Sequence, residues 1–215
     1  MIMYSARIES IVSLLPHCEV LADIGCDHGY IGVSALLQGK AQKVLFSDIS
    51  APSLKKAQLL CERQGLCDRA EFFVGNGLET INYADCVVIA GMGGKETIDI
   101  IKNRKFTPKC FVLQPMRNLP EVREFVAKDF KIEYDKITFD KKFYNLMLII
   151  SGKDSLTQKE KIFGRTNLQE KHDDFKQYIT VEIQKTKNLL NKKPDNEKMA
   201  NYLKQLAEIA EELDI

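Results

Sequence analysis

No apolar run in these 215 residues approaches the roughly 20 needed for a membrane-spanning helix, so the sequence predicts none. The opening segment, MIMYSARIES, carries Arg7 and Glu9 and has no signal-peptide apolar core, which sets the expectation of a cytoplasmic protein. The six cysteines (18, 26, 61, 67, 86 and 110) show neither CxxC spacing nor a Cys/His cluster. Reduced structural thiols are expected from them, with no metal. Charge of one sign is not in excess either: 31 Lys and Arg stand against 30 Asp and Glu. That balance excludes a wholly basic nucleic-acid binder but leaves room for a local patch. A P-loop is missing, and so is the G-x-G-x-x-G fingerprint of dinucleotide sites.

What the chain does have is organised around Val20 to Tyr30, VLADIGCDHGY. The apolar run stops at Gly25 and a second one starts at Tyr30, which reads as a buried strand, a glycine turn and the first turn of a helix. Such a turn presents backbone N–H groups at the carboxyl end of a strand, where open α/β sheets bind ligands. Gly25 and Gly29 would let the backbone approach that ligand closely. The pattern then alternates: a helix over 3–15 ahead of the first strand, strands at 43–47, 70–74, 85–90 and 110–113, helices at 51–64, 95–102 and 119–128, and a closing pair of strands at 131–139 and 142–150. This predicts an α/β fold with a doubly wound, largely parallel seven-stranded sheet. From about Ser151 the texture becomes Lys-, Asn-, Glu- and Gln-rich. Heptad-like apolar series over 168–190 and 199–213, joined by a turn at Pro194, predict an antiparallel helical hairpin. His172 falls on the apolar stripe of the first series and is expected in its packing.

The strand ends define the ligand. Asp48, closing the second strand, suits a ribose diol, and the Asn76 amide can read an adenine edge. Asp27 occupies the place of the second glycine of a dinucleotide loop, and its carboxylate would repel a pyrophosphate. A cofactor with ribose and adenine but no phosphate fits better, and S-adenosylmethionine (SAM) is such a cofactor. Methyl transfer from such a cofactor needs alignment of nucleophile and donor more than it needs a metal.

The segments Asp23-Ile-Gly-Cys-Asp-His-Gly-Tyr30, Gly91-Met-Gly-Gly94 and Leu113-Gln-Pro115, in this order and spacing, resemble the TrmK family of tRNA N1-methyltransferases acting on adenine 22. The resemblance spans essentially the whole chain. It implies a class I SAM-methyltransferase, Rossmann-like domain (1–152) followed by a coiled-coil-like helical extension (153–215) that binds tRNA. It implies that the 25–29 turn holds the methionine moiety, Asp48 the ribose, Asn76-Gly77 the adenine, and Gly91-Met92 the rim near the sulfonium. With their neighbours, the candidate cofactor residues are Asp23, Gly25, Cys26, His28, Gly29, Asp48, Ile49, Asn76, Gly77, Gly91 and Met92. Asp27, His28 and Gln114 are the candidate catalytic residues, with Tyr30 and Tyr144 as candidate stacking surfaces. Two positions depart from the family pattern, Met116 where Asn is expected and Asn145 where an acid is expected; either would reshape the base pocket.

Residues 153–193 carry ten Lys and Arg against six acids, and the balance reverses from Asp195 onward, which would suit one helix facing RNA. The candidate RNA contacts are Arg7, Lys95, Arg117, Arg165, Lys171, Lys185 and Lys187, with Arg123 as a further phosphate contact. The reading therefore expects a monomeric tRNA methyltransferase with no membrane partner. Its rivals are a methyltransferase of another RNA or small molecule, and a non-catalytic tRNA-binding module on the same fold.

Overall fold

The computed structural model describes residues 5–215; residues 1–4, which include the start of the expected 3–15 helix, lie outside them. Helix α1 (Ala6–Leu14) opens on Ser5, whose hydroxyl accepts the Ile8 N–H, and the chain leaves it just before Pro16. Strands β1 (Cys18–Ile24) and β2 (Ala41–Asp48) flank α2 (Tyr30–Leu37). Both strands begin two residues earlier than the apolar pattern indicates, because Cys18 pairs with Ala41 and carries the parallel ladder past the hydrophobic run. Helix α3 (Ala51–Gln64) is capped by Ser50 and stopped by Gly65 in the left-handed region. Strand β3 (Ala70–Val74) follows, then β4 (Cys86–Ala90), α4 (Gly94–Lys102), β5 (Cys110–Gln114) and α5 (Leu119–Val126). The long hairpin of β6 (Phe130–Asp140) and β7 (Lys142–Ser151) turns on Lys141 at φ 62°.

The seven strands lie in the order β3-β2-β1-β4-β5-β7-β6, with β7 antiparallel between β5 and β6. Alternation along the buried strands sends side chains to two cores. Val88 and Val112 join α1, α2 and α3 on one face, whereas Val87, Ile89 and Leu113 join α4 and α5 on the other. The sequence reverses its winding between β1 and β4, so the crevice at their carboxyl ends is the topological switch point of the sheet.

Four helices follow the sheet: α6 (Gln158–Phe163), α7 (Arg165–Glu170), α8 (Asp173–Lys192) and α9 (Glu197–Glu212). Helices α8 and α9 form the expected hairpin and share a third core, in which Phe175, Ile179, Leu206 and Ile209 meet Phe163 and Ile137 of β6. The first apolar series is not one helix. Lys171 takes φ 51°, and His172 becomes the cap of α8, its Nδ1 accepting the Phe175 N–H at 3.3 Å while Nε2 lies 2.9 Å from Asn167 Oδ1. The correction for His172 is thus from stripe residue to helix cap, and Asp173 and Asp174 in the first turn reinforce the start. Burial lowers its pKa, in keeping with a neutral ring that accepts through Nδ1 and donates through Nε2.

Arg123 is also corrected. It is 1% exposed, with Nε and Nη2 donating to the Asp135 carboxylate at 2.6 and 3.0 Å and Nη2 donating to Asn145 Oδ1 at 3.2 Å. Its Nη1 donates to the Lys161 and Ile162 carbonyls, both at 2.9 Å. This buried arginine joins α5 to the β6–β7 hairpin and α6, and offers no cation to a phosphate. Asn145 belongs to the same node, so its departure from the family pattern alters this internal tie and not the base pocket.

Candidate active site at the carboxyl edge of the sheet

The turn after β1 is held from below and beside. The Gly25 and Cys26 N–H groups both donate to the Ser47 carbonyl, at 2.7 and 3.2 Å, and Gly29 N–H donates to the Cys26 carbonyl at 2.7 Å. Gly25, Asp27 and Gly29 all have positive φ (64°, 47° and 72°), which explains why glycine recurs in this stretch. The two glycines do different jobs. A Cβ on Gly25 would fall 1.9 Å from the Met92 methyl, so the β4 rim lies directly across this turn. A Cβ on Gly29 would meet Ala57 and Phe46, so Gly29 also serves the packing of α2 against α3 and β2. The Cys26 side chain likewise points into the core, which leaves its backbone alone to face a ligand.

Three carboxylates surround the turn. Asp48 accepts the Asp27 N–H on Oδ2 at 2.9 Å and the Ser50 N–H on Oδ1 at 2.8 Å. Each oxygen keeps a second lone pair. Asp23 is buried beneath the turn and accepts the Gly32 N–H at 2.9 Å. Burial, helped by the nearby Asp48 charge, pushes its pKa from 3.8 up to about 7, with the Gly32 hydrogen bond opposing. Asp27 is exposed at the rim, and its Oδ2 lies 3.6 Å from His28 Nε2. The His28 ring stacks parallel on Tyr30, with centroids 5.3 Å apart.

Asp23 predicts a pH effect whose sign is fixed by its raised pKa. Between about pH 4 and about pH 7 the unfolded chain releases this proton while the folded chain retains it, so this group makes stability fall as pH rises through that window and then level off. Asp23→Asn keeps an acceptor for Gly32 and removes the titration. In ligand-free thermal melts the variant is therefore expected to gain on the wild type from pH 4 to 7. A constant difference across that range would contradict the assignment.

Further along the edge, Ile49 is 75% exposed beside Asp48, an apolar surface set at the end of β2. The Ser47 hydroxyl donates to the Gly77 carbonyl at 3.0 Å, which draws the Asn76-Gly77 loop towards β2. The Asn76 amide donates to Glu79 at 3.2 Å and, with Glu79, Glu96 and Asp99, lines a small hollow against α4. On the other side, Gly91 N–H donates to the Gln114 carbonyl and Met116 N–H to the Met92 carbonyl, which ties the β4 and β5 rims together.

The end of β5 holds a group that sequence spacing did not reveal. Arg7 Nη1 donates to Gln114 Oε1 at 2.7 Å, across 107 positions of sequence, and the Gln114 amide nitrogen lies 3.1 Å from Met116 Sδ. The Arg7 backbone N–H donates to Asp140, and its guanidinium carbon sits 5.5 Å above the Tyr144 ring. Lys142 Nζ lies 5.2 Å from the same ring. Gln114 is therefore buried with its carbonyl oxygen already engaged, and Arg7 sits in the site as a contact of Gln114 and Tyr144.

The remaining candidate RNA contacts are dispersed. Lys95 and Arg117 are exposed, and the Arg117 carbonyl abuts Gly94, so both lie beside the β4 and β5 rims. Lys171, Lys185 and Lys187 are exposed on the C-terminal helices; Lys171 donates to the Glu212 carbonyl and Lys185 pairs with Glu182 at 2.9 Å. Arg165 is committed elsewhere, to both oxygens of Asp154 and to Glu160, which removes it from the set that offers a cation to phosphate.

A doubly wound seven-stranded sheet with an antiparallel β7, a glycine turn at the switch point and an acid ending β2 defines the class of Rossmann-like methyltransferases. A methyltransferase-domain family matches residues 4–147. The tRNA (adenine(22)-N(1))-methyltransferase of Bacillus subtilis is 28% identical over 220 residues, covering 95% of this chain and 92% of the relative. A putative tRNA methyltransferase of Mycoplasma pneumoniae is 32% identical over 159 residues, covering 71% and 73%. The structure of M. capricolum TrmK with S-adenosylhomocysteine superposes with a TM-score of 0.86 at 25% identity, over 99% of both chains. The chain belongs to the methyltransferase-domain family and, within it, to the TrmK family.

Proposed function

We propose that this chain transfers a methyl group from SAM to N1 of adenine 22 in tRNA. The observation that carries the reading is the ring of three carboxylates, Asp23, Asp27 and Asp48, around the Gly25 turn. The Asp27 and Asp48 carboxylates repel a phosphate and suit a cofactor that is cationic at sulfur and nitrogen, while buried Asp23 holds its proton up to about pH 7. The cradle fits it: Gly25 lets the Met92 methyl close over the turn where a side chain would intrude, the Asp48 oxygens have lone pairs left for a diol, and Ile49 gives an adenine ring an apolar face. When bound, SAM supplies an electrophilic methyl for in-line displacement.

The protein's own part is to hold and orient. Gln114, with Oε1 held by Arg7 and one amide N–H given to Met116 Sδ, keeps its second N–H as a donor to a base edge. Tyr144 and Met116 form the walls beside it. N1 of a neutral adenine carries the attacking lone pair, so the base must leave its stack to enter, at a cost of a few kcal/mol. The methylated base is cationic, and the exposed Asp27 carboxylate stabilises the charge as it develops. Residues 1–152 form the catalytic domain in this reading and the helices of 153–215 the tRNA-binding extension.

Nucleoside mass spectrometry of tRNA from a strain lacking the gene tests the assignment: 1-methyladenosine at position 22 should disappear and return with the gene. Unchanged 1-methyladenosine would remove the proposed substrate. Lys95 and Arg117 are assigned to tRNA phosphates beside the active-site rim. Replacing both by Ala should weaken tRNA binding alike for all sequences. It should also reduce the slope of log K against log salt by roughly 1–2. An unchanged slope in a filter-binding titration would place the RNA elsewhere.

A further inference from the structure

A cavity lies at the amino edge of the sheet, opposite the rim proposed to face the cofactor. Its volume is about 730 Å³, and Cys18, Cys86 and Cys110 all line it, with His17, Asp85 and Lys109. We propose that Cys86 and Cys110 are a reversible thiol–disulfide pair, a second site for chemical modification by peroxide that is separate from the methyl-transfer site.

The geometry comes from the sheet. Cys86 opens β4 and Cys110 opens β5, and the two are direct register partners in the parallel ladder. Neighbouring strands run about 4.8 Å apart, within the Cα separation of roughly 4.4–6.8 Å that a disulfide spans. Both side chains point into the same face of the core, so no backbone reversal is needed. Cys18 is a poorer partner. It precedes by three residues Leu21, which is the β1 position paired with Cys86, and three residues of strand are roughly 10 Å. The three thiols are not a metal site: no group of three or more Cys, His, Asp or Glu side chains among the described residues is gathered to hold an ion.

The chemistry of the two thiols differs in a useful direction. The Cys86 S–H is bonded to the Cys110 sulfur, which holds the Cys110 pKa below its ordinary value and pushes that of Cys86 up. Burial and the neighbouring Cys110 and Asp85 raise Cys18 to about 11. Burial and the Asp85 carboxylate oppose that lowering of Cys110, and the Lys109 ammonium, 2.9 Å from Asp85, offsets a smaller part of their effect. Cys110 is the attacking thiolate and Cys86 the resolving thiol. The Cys110 sulfur attacks hydrogen peroxide, forming an S–O bond as O–O breaks and hydroxide leaves. Cys86 sulfur then attacks Cys110 sulfur, forming S–S as S–O breaks. Its proton departs with the hydroxyl group as water. Overall, two thiols are oxidised and one peroxide is reduced to two waters.

The test treats the folded full chain with excess hydrogen peroxide, alkylates the remaining thiols, and maps peptides without reduction. A Cys86–Cys110 cross-link is expected, two hydrogens lighter than the free peptides and reversed by dithiothreitol. The cross-link should persist in Cys18→Ser. Peroxide-free labelling of the wild type with iodoacetamide gives an independent readout that needs no variant: Cys110 should react before Cys18 and Cys86. A Cys18–Cys110 link, a link between chains, or three thiols that all remain alkylatable after unfolding would overturn the proposal, as would Cys18 labelling first.

Discussion

Replacing Arg123 by alanine is expected to destabilise the protein by about 3–5 kcal/mol, the cost of leaving a buried charge without its partner. Asp135 is as buried as Arg123, and the truncation strands its carboxylate. It also removes the donors of Asn145 Oδ1 and of the Lys161 and Ile162 carbonyls, which leaves the Lys161–Glu124 pair at 2.8 Å to tie α6 to α5. Urea unfolding followed by circular dichroism should show a midpoint lowered by this loss divided by the m-value. The pair itself is not expected to be worth that much. Replacing Arg123 and Asp135 together by Met and Leu should recover only the part owed to the stranded carboxylate, because Asn145 Oδ1 and the Lys161 and Ile162 carbonyls still lack their donor. A loss below about 1 kcal/mol for the single variant would mean that Asp135 finds water or another donor. No such relief would be needed if the node were only decorative.

The second large effect concerns Asp48. Its oxygens are each held by one backbone N–H, from Asp27 and Ser50, and the proposed cofactor diol uses what remains. Asp48→Ala removes two charge-assisted hydrogen bonds to a diol, each worth about 1.5–3 kcal/mol. SAM affinity is therefore expected to fall by about a hundredfold or more. Titration calorimetry measures it directly. Because the substitution also frees the Asp27 N–H, Asp48→Asn is the sharper probe: its amide oxygen accepts one backbone N–H but a diol meets a neutral group. Asp48→Asn should keep the fold and still weaken SAM binding at least tenfold. Unchanged affinity would shift the ribose contact to another residue and reopen the placement of the cofactor.

The sheet was legible because a doubly wound fold repeats one signal many times: an apolar run, a glycine or acid at its end, then a helical period. Gly25, Asp48 and Gly91 could be placed at the carboxyl edge from that alternation alone. What escaped was whatever depends on distant segments meeting. Arg7 reads as a surface cation on an amphipathic helix, and only the packing of α1 brings it to Gln114. Arg123 reads the same way, yet it is buried because Asp135 and Asn145 arrive on the hairpin 12 and 22 residues later. The break at His172 was hidden by an apolar spacing that runs straight through it, while the cap geometry that starts α8 leaves no hydrophobic trace. Gly29 shows a third limit: the backbone freedom was legible, but not that Ala57 packs where a side chain would stand.

Transfer of labelled methyl from SAM to unmodified tRNA, compared between substrates with A and with G at position 22, tests the central claim most directly. Incorporation with A22 alone is the result expected here, with the label recovered as 1-methyladenosine. Equal incorporation into both, or none into either while SAM still binds, would contradict it.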